Sequence, residues 1–150
     1  MEVQTTVGKA MFLHMGTWLI PADRETSRKK RELRKWVRES ISDTVEEAGM
    51  VFLPNGGFTP PIDETKYDLP VTIDLTTEQL NLIPAMFGRG VQWANFLTER
   101  QEDMLDELEQ ETQDWIKTEK SGRDLREAKK NMSPKERAKL AKELAEETKE

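Results

Sequence analysis

The sequence predicts an α+β fold with a small antiparallel sheet, two long amphipathic helices and a charged helical C-terminal arm. Three observations lead to this prediction. The thirty residues from Val91 to Lys120 contain neither Gly nor Pro, and their apolar residues recur at helical spacing. A second stripe of this kind lies between Asp23 and Ala48. Short alternating segments near the N-terminus and at Val71–Leu75 are typical of strands.

The first twenty residues predict a β-hairpin. Apolar and polar residues alternate over the first seven positions, two turn-forming residues follow, and a short apolar run suits a buried second strand: Val3, Thr5, Val7, Gly8–Lys9, Ala10–Leu13. His14 ends this run and is the only histidine in the chain. We expect it to have a hydrogen-bonded structural role, because it lies at the end of an apolar run and no nucleophile motif accompanies it.

The next segment predicts the first long helix, over residues 23–48. Pro21 and Asp23 are typical of a helix start, and Gly49 occupies the usual stop position. The residues that recur on one face, and that we expect to be buried, are Leu33, Val37, Ile41 and Val45.

The first half of this helix is strongly basic. Between Arg28 and Arg38 there are seven bases and one acid. A basic helix of this kind is able to bind phosphates or an acidic protein surface, or to pair with acidic residues of the same chain. The residues predicted to contact a partner are Arg28, Lys29, Arg31, Arg34, Lys35 and Arg38.

The middle of the chain predicts two strands, a surface loop and a short helix. The order is a strand at Met50–Leu53, a turn at Pro54–Gly57, a loop at Phe58–Pro70, a strand at Val71–Leu75 and a helix at Glu78–Phe87. Thr76 and Gln79 have the spacing of a capping box. Pro84 is expected to interrupt the helix, and Gly88–Gly90 to form a corner before the next one.

The second long helix, predicted at Val91–Lys120, has an apolar stripe and an acidic face. The stripe consists of Trp93, Leu97, Met104, Leu108 and Trp115, with Ala94 and Leu105 at its edge. Eight carboxylates and one base lie between Glu99 and Asp114. The face is either solvated or meets a basic partner, and the residues predicted for such contacts are Glu99, Glu102, Asp103, Asp106, Glu107 and Glu109.

The last thirty residues predict a separate charged arm. Ser121–Gly122 is expected to break the long helix, and a short charged helix over residues 123–130 follows. Ser133, Pro134 and Glu136 then form a strong helix-start motif, which predicts a helix from Pro134 to about Thr148. We therefore expect a compact α+β domain over residues 1–120 and an arm over residues 121–150.

The composition excludes several classes of function. The chain has no cysteine and a formal net charge of −6, which excludes disulfide scaffolds, thiolate metal sites and cysteine nucleophiles and argues against a general nucleic-acid binder. No run of eighteen apolar residues is present to span a membrane. We expect no enzymatic activity, cofactor or metal, since no catalytic or ligand motif stands out.

We therefore expect a protein that binds other protein subunits as a homo- or hetero-oligomer, through helices whose charges are segregated. Small assembly components of bacteriophage particles and small inhibitors of host factors have this character. One alternative is a nucleic-acid-associated module that uses residues 28–38, and another is an inhibitor whose acidic helix mimics DNA. The expected location is the cytoplasm, or the virion if the protein is viral.

Overall fold

The computed structural model describes residues 1–21, 23–54, 56–87 and 97–131, with side chains as far as residue 125. It confirms the α+β class. The elements follow in the order β1 Glu2–Thr6, α1 Val7–Gly16, a 3-10 helix Thr17–Leu19, α2 Arg24–Glu47, β2 Val51–Phe52, β3 Phe58–Thr59, a 3-10 helix Glu64–Asp68, β4 Pro70–Asp74, α3 Thr77–Leu82, a 3-10 helix Ile83–Met86 and α4 Glu99–Asn131.

Two small antiparallel sheets are present in the described residues. In the first, β1 pairs with β4, so that Val3 lies opposite Ile73 and Thr5 opposite Val71. These four residues are buried while their neighbours alternate outward, as expected for a sheet with one face on the core. In the second, β2 pairs with β3 through a turn in which Gly56 has a φ of 91°. The predicted strands at 50–53 and 71–75 are therefore confirmed.

The hairpin prediction for residues 1–20 is half wrong. β1 forms as expected, but its partner is β4, and the expected second strand lies within α1. The Thr6 side chain accepts a hydrogen bond from the Lys9 backbone N–H and so caps the helix. The apolar run at residues 10–13 is buried on every side of α1, and such a run has no period that distinguishes helix from strand.

Helix α2 agrees with its prediction. The Asp23 carboxylate accepts a hydrogen bond from the Thr26 backbone N–H at 2.8 Å and caps the first turn. The predicted core positions Leu33, Val37 and Ile41 are fully buried, and Val45 is nearly so. This stripe packs α2 against α1 and β4.

The loop predicted for residues 58–70 is more ordered than expected. It contains β3 and the 3-10 helix Glu64–Asp68, whose Tyr67 is buried in the core. Farther on, the capping box of Thr76 and Gln79 is confirmed, since each side chain binds the other residue's backbone N–H. The helix that follows ends at Leu82, and a 3-10 helix continues through Pro84, because proline cannot supply the α-helical backbone donor.

Helix α4 begins and ends at residues other than those predicted, since it runs from Glu99 to Asn131. It begins at Glu99, because the Thr98 side chain caps it and the Gln101 side chain bonds back to the Thr98 N–H. The predicted residues Trp93 and Ala94, the start of the helix at Val91 and the Gly88–Gly90 corner lie outside the described residues. Leu97 precedes the helix, half-buried against the core.

The predicted break at Ser121–Gly122 is wrong, because α4 continues to Asn131. One glycine costs a helix only about 1 kcal/mol relative to alanine. The Glu119–Arg123 ion pair at 2.9 Å spans the glycine by one turn and supports the helix locally. The helix predicted from Pro134 to Thr148 lies outside the described residues.

The chain divides into two units, Met1–Ile116 and Lys117–Glu150. The first unit holds both sheets, α1 to α3 and the buried part of α4. Its core contains the predicted stripe residues Met104, Leu108 and Trp115, together with Leu105.

Candidate interaction surface

Helix α2 presents its basic residues outward because its opposite side is the buried stripe. We call the six predicted residues the basic face: Arg28, Lys29, Arg31, Arg34, Lys35 and Arg38. Four of them are exposed, while Lys29 and Arg34 are half-buried. From its first to its last residue the basic face runs about 15 Å along the helix, at 1.5 Å per residue.

Two residues of the basic face form ion pairs with nearby acidic residues. Lys29 binds Glu78 at 2.6 Å and Glu25 at 3.3 Å, so it ties α2 to α3. Arg28 lies 3.8 Å from Glu32 in an exposed pair, and such pairs contribute little. Lys29 is therefore less available to a partner than the sequence suggested.

Arg34 is fixed in place by the segment before α2. Its guanidinium carbon lies 3.5 Å from the centroid of the Trp18 ring, and its Nε donates a hydrogen bond to Thr17 Oγ1 at 2.9 Å. That hydroxyl in turn donates to the His14 carbonyl at 2.7 Å, and Thr17 is fully buried. The guanidinium therefore keeps one orientation, stacked on an aromatic ring that is itself 50% exposed.

Arg38, one turn farther along α2, stacks on a second aromatic ring. Its guanidinium carbon lies 4.5 Å from the centroid of Phe52. That ring also packs against His14, with centroids 4.8 Å apart. The two arginines therefore each cover an aromatic side chain that comes from another segment of the chain.

An open groove of about 420 Å³ continues this surface beyond Arg38. It is lined by Arg38, Ser42, Val45, Glu46, Gly49, Met50, Val51 and Phe52. Val51 is 57% exposed, and Leu53, next to Phe52 in the sequence, is 37% exposed.

The electrostatic environment of this surface is positive. Burial, followed by the charges of Arg38 and Arg34, lowers the pKa of His14 to about 4. Burial and then Arg31 lower the pKa of Arg34. Among the described residues, no carboxylate lies within 4.0 Å of the basic groups of Arg31, Arg34, Lys35 or Arg38. Their charge is therefore not neutralised by these residues.

The acidic residues of α4 form a second charged surface. We call the six predicted residues the acidic face: Glu99, Glu102, Asp103, Asp106, Glu107 and Glu109. All six are exposed, because Met104, Leu105 and Leu108 turn the opposite side of α4 into the core. This face also spans eleven residues of helix, or about 15 Å from the first to the last.

Inside the chain, the acidic helix is paired through Lys9 of α1. The Lys9 ammonium lies 2.9 Å from Glu107 and 3.1 Å from Glu111, and Thr5 donates a hydrogen bond to Glu111 at 3.3 Å. Burial lowers the pKa of Lys9, but the hydrogen bonds and charges of Glu107 and Glu111 outweigh burial and raise it. Among the described residues, no ion pair joins the basic face to the acidic face.

The structure adds two aromatic residues that sequence reasoning did not identify, Trp18 and Phe52. No local sequence pattern identifies them, because each ring contacts an arginine that is distant in the sequence. The only signal was the spacing of Arg34 and Arg38, which places both side chains on one side of a helix.

The described residues contain no group of three or more His, Asp or Glu side chains arranged to hold a metal ion. No helix in that part of the chain is both long and apolar enough to cross a membrane. His14 is buried at 4% exposure, so it is closed to a substrate.

The chain matches no protein-family model, and no curated sequence or solved structure is significantly similar to it.

Proposed function

We propose that this chain is a non-enzymatic assembly protein, in which the basic face of one copy binds the acidic face of a second copy. One observation carries the proposal: the two faces have opposite charge and equal length, and in the described residues neither neutralises the other. A contact between two different surfaces of identical chains is heterologous. It closes into a ring or extends as a filament.

The charges orient the contact, and apolar burial supplies most of the affinity. Exposed ion pairs contribute roughly 0.2–1 kcal/mol each, whereas a micromolar complex requires about 8 kcal/mol. The difference has to come from apolar surface at about 25 cal/mol per Å². The basic face has such surface beside it, in the half-exposed Trp18 and the exposed Val51 and Leu53.

The test is light scattering of a charge-reversed variant. Replacing Arg31, Lys35 and Arg38 with Glu removes attraction to the acidic face, and we expect the self-association of the unmodified chain at about 50 mM salt to be lost. The matched control reverses Lys66, Lys117 and Lys120, none of which lies on α2, and so changes the net charge equally; it should associate normally. An unmodified chain that is monomeric at about 50 mM salt contradicts the proposal.

A second candidate function is the binding of single-stranded nucleic acid by the same face. Exposed Arg31, Lys35 and Arg38 beside the half-exposed Trp18 combine phosphate-binding groups with an aromatic ring. A gel-shift assay with RNA and single-stranded DNA distinguishes the two candidates. Retention that disappears in the variant with all three bases reversed favours nucleic acid, and no retention by the unmodified chain rejects it.

A further inference from the structure

Arg34 and Arg38 differ from the other bases of α2 in being held by aromatic rings. Arg34 is stacked on Trp18 and bound to Thr17, and Arg38 is stacked on Phe52. By contrast, Arg31 is exposed, and within the described part of the chain its guanidinium donates one hydrogen bond, to the Ser27 carbonyl of its own helix at 3.3 Å. An arginine that is ordered before binding loses less conformational freedom on binding.

The two guanidinium groups keep hydrogen-bond donors for a partner. A guanidinium has five N–H donors, and Thr17 uses the Nε–H of Arg34. Among the described residues, the Arg34 guanidinium makes no other hydrogen bond, and the Arg38 guanidinium makes none. Each therefore offers a planar pair of donors, which is the arrangement that binds a carboxylate through both of its oxygens.

Two arginines at positions i and i+4 fit two carboxylates at the same spacing. Side chains one turn apart on a helix lie about 5–6 Å from each other. The acidic face contains such a pair in Glu102 and Asp106, both exposed and without a basic partner among the described residues. An acidic helix laid along α2 would bring one carboxylate to each arginine.

Apolar surface adjoins this position. Trp18 lies under Arg34 and is half-exposed, and the exposed Val51 lines the groove that begins at Arg38. Aromatic residues and arginines that are surrounded by water-excluding contacts dominate the affinity of many interfaces. The same charges at the ends of flexible side chains, as at Lys35, would contribute much less.

We infer that Arg34 and Arg38, held on Trp18 and Phe52, form a preformed site for two carboxylates one helical turn apart, and that Glu102 and Asp106 of a second copy occupy it. This inference rests on the proposed assembly function. It adds that the charged part of the contact is centred on two side chains, and that this part depends on the planar arginine group as well as on positive charge.

The experiment uses two full-length variants that bind each other in only one way. One keeps its basic face but carries Glu102→Gln, Asp106→Asn and Glu109→Gln. The other keeps its acidic face but carries Arg31→Gln, Lys35→Gln and Arg38→Gln. Titration calorimetry at about 50 mM salt then measures the Kd of a single 1:1 contact.

Arg34→Lys and Arg38→Lys are next introduced together into the first variant. Lysine keeps the charge but loses the planar donors and the stacking, and we expect the Kd to rise by about tenfold or more. The matched control is Arg31→Lys, which makes the same chemical change at an unstacked position and should alter the Kd by less than about threefold. Arg38→Lys alone, at an exposed position, should raise the Kd by about threefold to fivefold and serves if the double variant does not fold.

A Kd that is no higher in the arginine-to-lysine variants than in the Arg31→Lys control, with native circular dichroism, overturns the inference. The proposed assembly function survives that result, because the two parent variants still bind. If instead the folded parent variants do not bind each other at all, the assembly function itself is rejected, and this inference with it.

Discussion

His14 lies beneath the two arginines of the candidate surface, and its environment opposes protonation. It is 4% exposed, its Nε2 has no hydrogen-bond partner among the described residues, and it packs against the Phe52 ring. Burial and the charges of Arg38 and Arg34 lower its pKa to about 4. The sequence led us to expect a hydrogen-bonded structural histidine; the side chain is buried, but its Nε2 has no hydrogen-bond partner among the described residues.

The low pKa of His14 predicts a loss of stability in acid. Since the folded pKa of about 4 is below the ordinary 6.5, the unfolded chain takes up the proton more readily. Stability therefore falls as the pH drops from about 6.5 towards 4, by about 2 kcal/mol between pH 7 and pH 5. His14→Leu removes the titrating group, and urea unfolding of both proteins at the two pH values measures the difference.

The comparison is made between the two proteins at each pH, so that the titration of the carboxylates cancels. The leucine variant should gain stability relative to the unmodified chain at pH 5. An equal difference in the free energy of unfolding at both pH values would show that His14 is not the group responsible.

At the scale of elements, the sequence predicted α2 well and α1 poorly, for a physical reason. Helix α2 has one buried side and one charged side, so its period is visible in the sequence. Helix α1 is buried all round at residues 10–13, and its partners come from distant segments. The capping of α4 by Thr98 and Gln101 was readable from the spacing, but the absence of Gly and Pro from residue 91 onward suggested an earlier start.

The attachment of α4 to α1 depends on Lys9, whose side chain is 12% exposed between Glu107 and Glu111. Lys9→Met leaves Glu111 without this partner, and we expect a loss of about 1–3 kcal/mol in the free energy of unfolding. Hydrogen exchange should show the greatest loss of protection at Met104–Thr112, where α4 meets the core.

The matched control for Lys9→Met is Arg100→Gln. Arg100 also ties α4 to the body, through Asp68 at 2.7 Å, but this pair is 38% and 64% exposed. Water screens such a pair, so the variant should lose less than about 1 kcal/mol. Equal losses in the two variants would mean that the buried position of Lys9 does not matter.

At the scale of the whole molecule, the sequence separated the charges correctly but did not show where they are used. The basic cluster at residues 28–38 and the acidic cluster at residues 99–114 were readable from composition alone. Contacts between distant segments decide two further features. Lys9 forms an ion pair with Glu107, and Trp18 and Phe52 stack on two of the arginines. The candidate surface was therefore predictable as a set of charges, but its aromatic support was not.

The most direct test of the assembly account exchanges the charges of the two faces. One variant carries Arg34→Glu, Lys35→Glu and Arg38→Glu, and a second carries Glu102→Arg, Asp106→Arg and Glu109→Arg, so that the arginine pair and the carboxylate pair exchange places. A third carries all six changes and keeps the net charge of −6, since three bases become acids and three acids become bases. Light scattering at about 50 mM salt compares them with the unmodified chain.

The account predicts that each single-face variant is monomeric, because its two faces now repel. The six-fold variant should self-associate again, because the faces are complementary once more, and the association should disappear at about 500 mM salt. A folded six-fold variant that stays monomeric, or single-face variants that associate like the unmodified chain, would contradict the account.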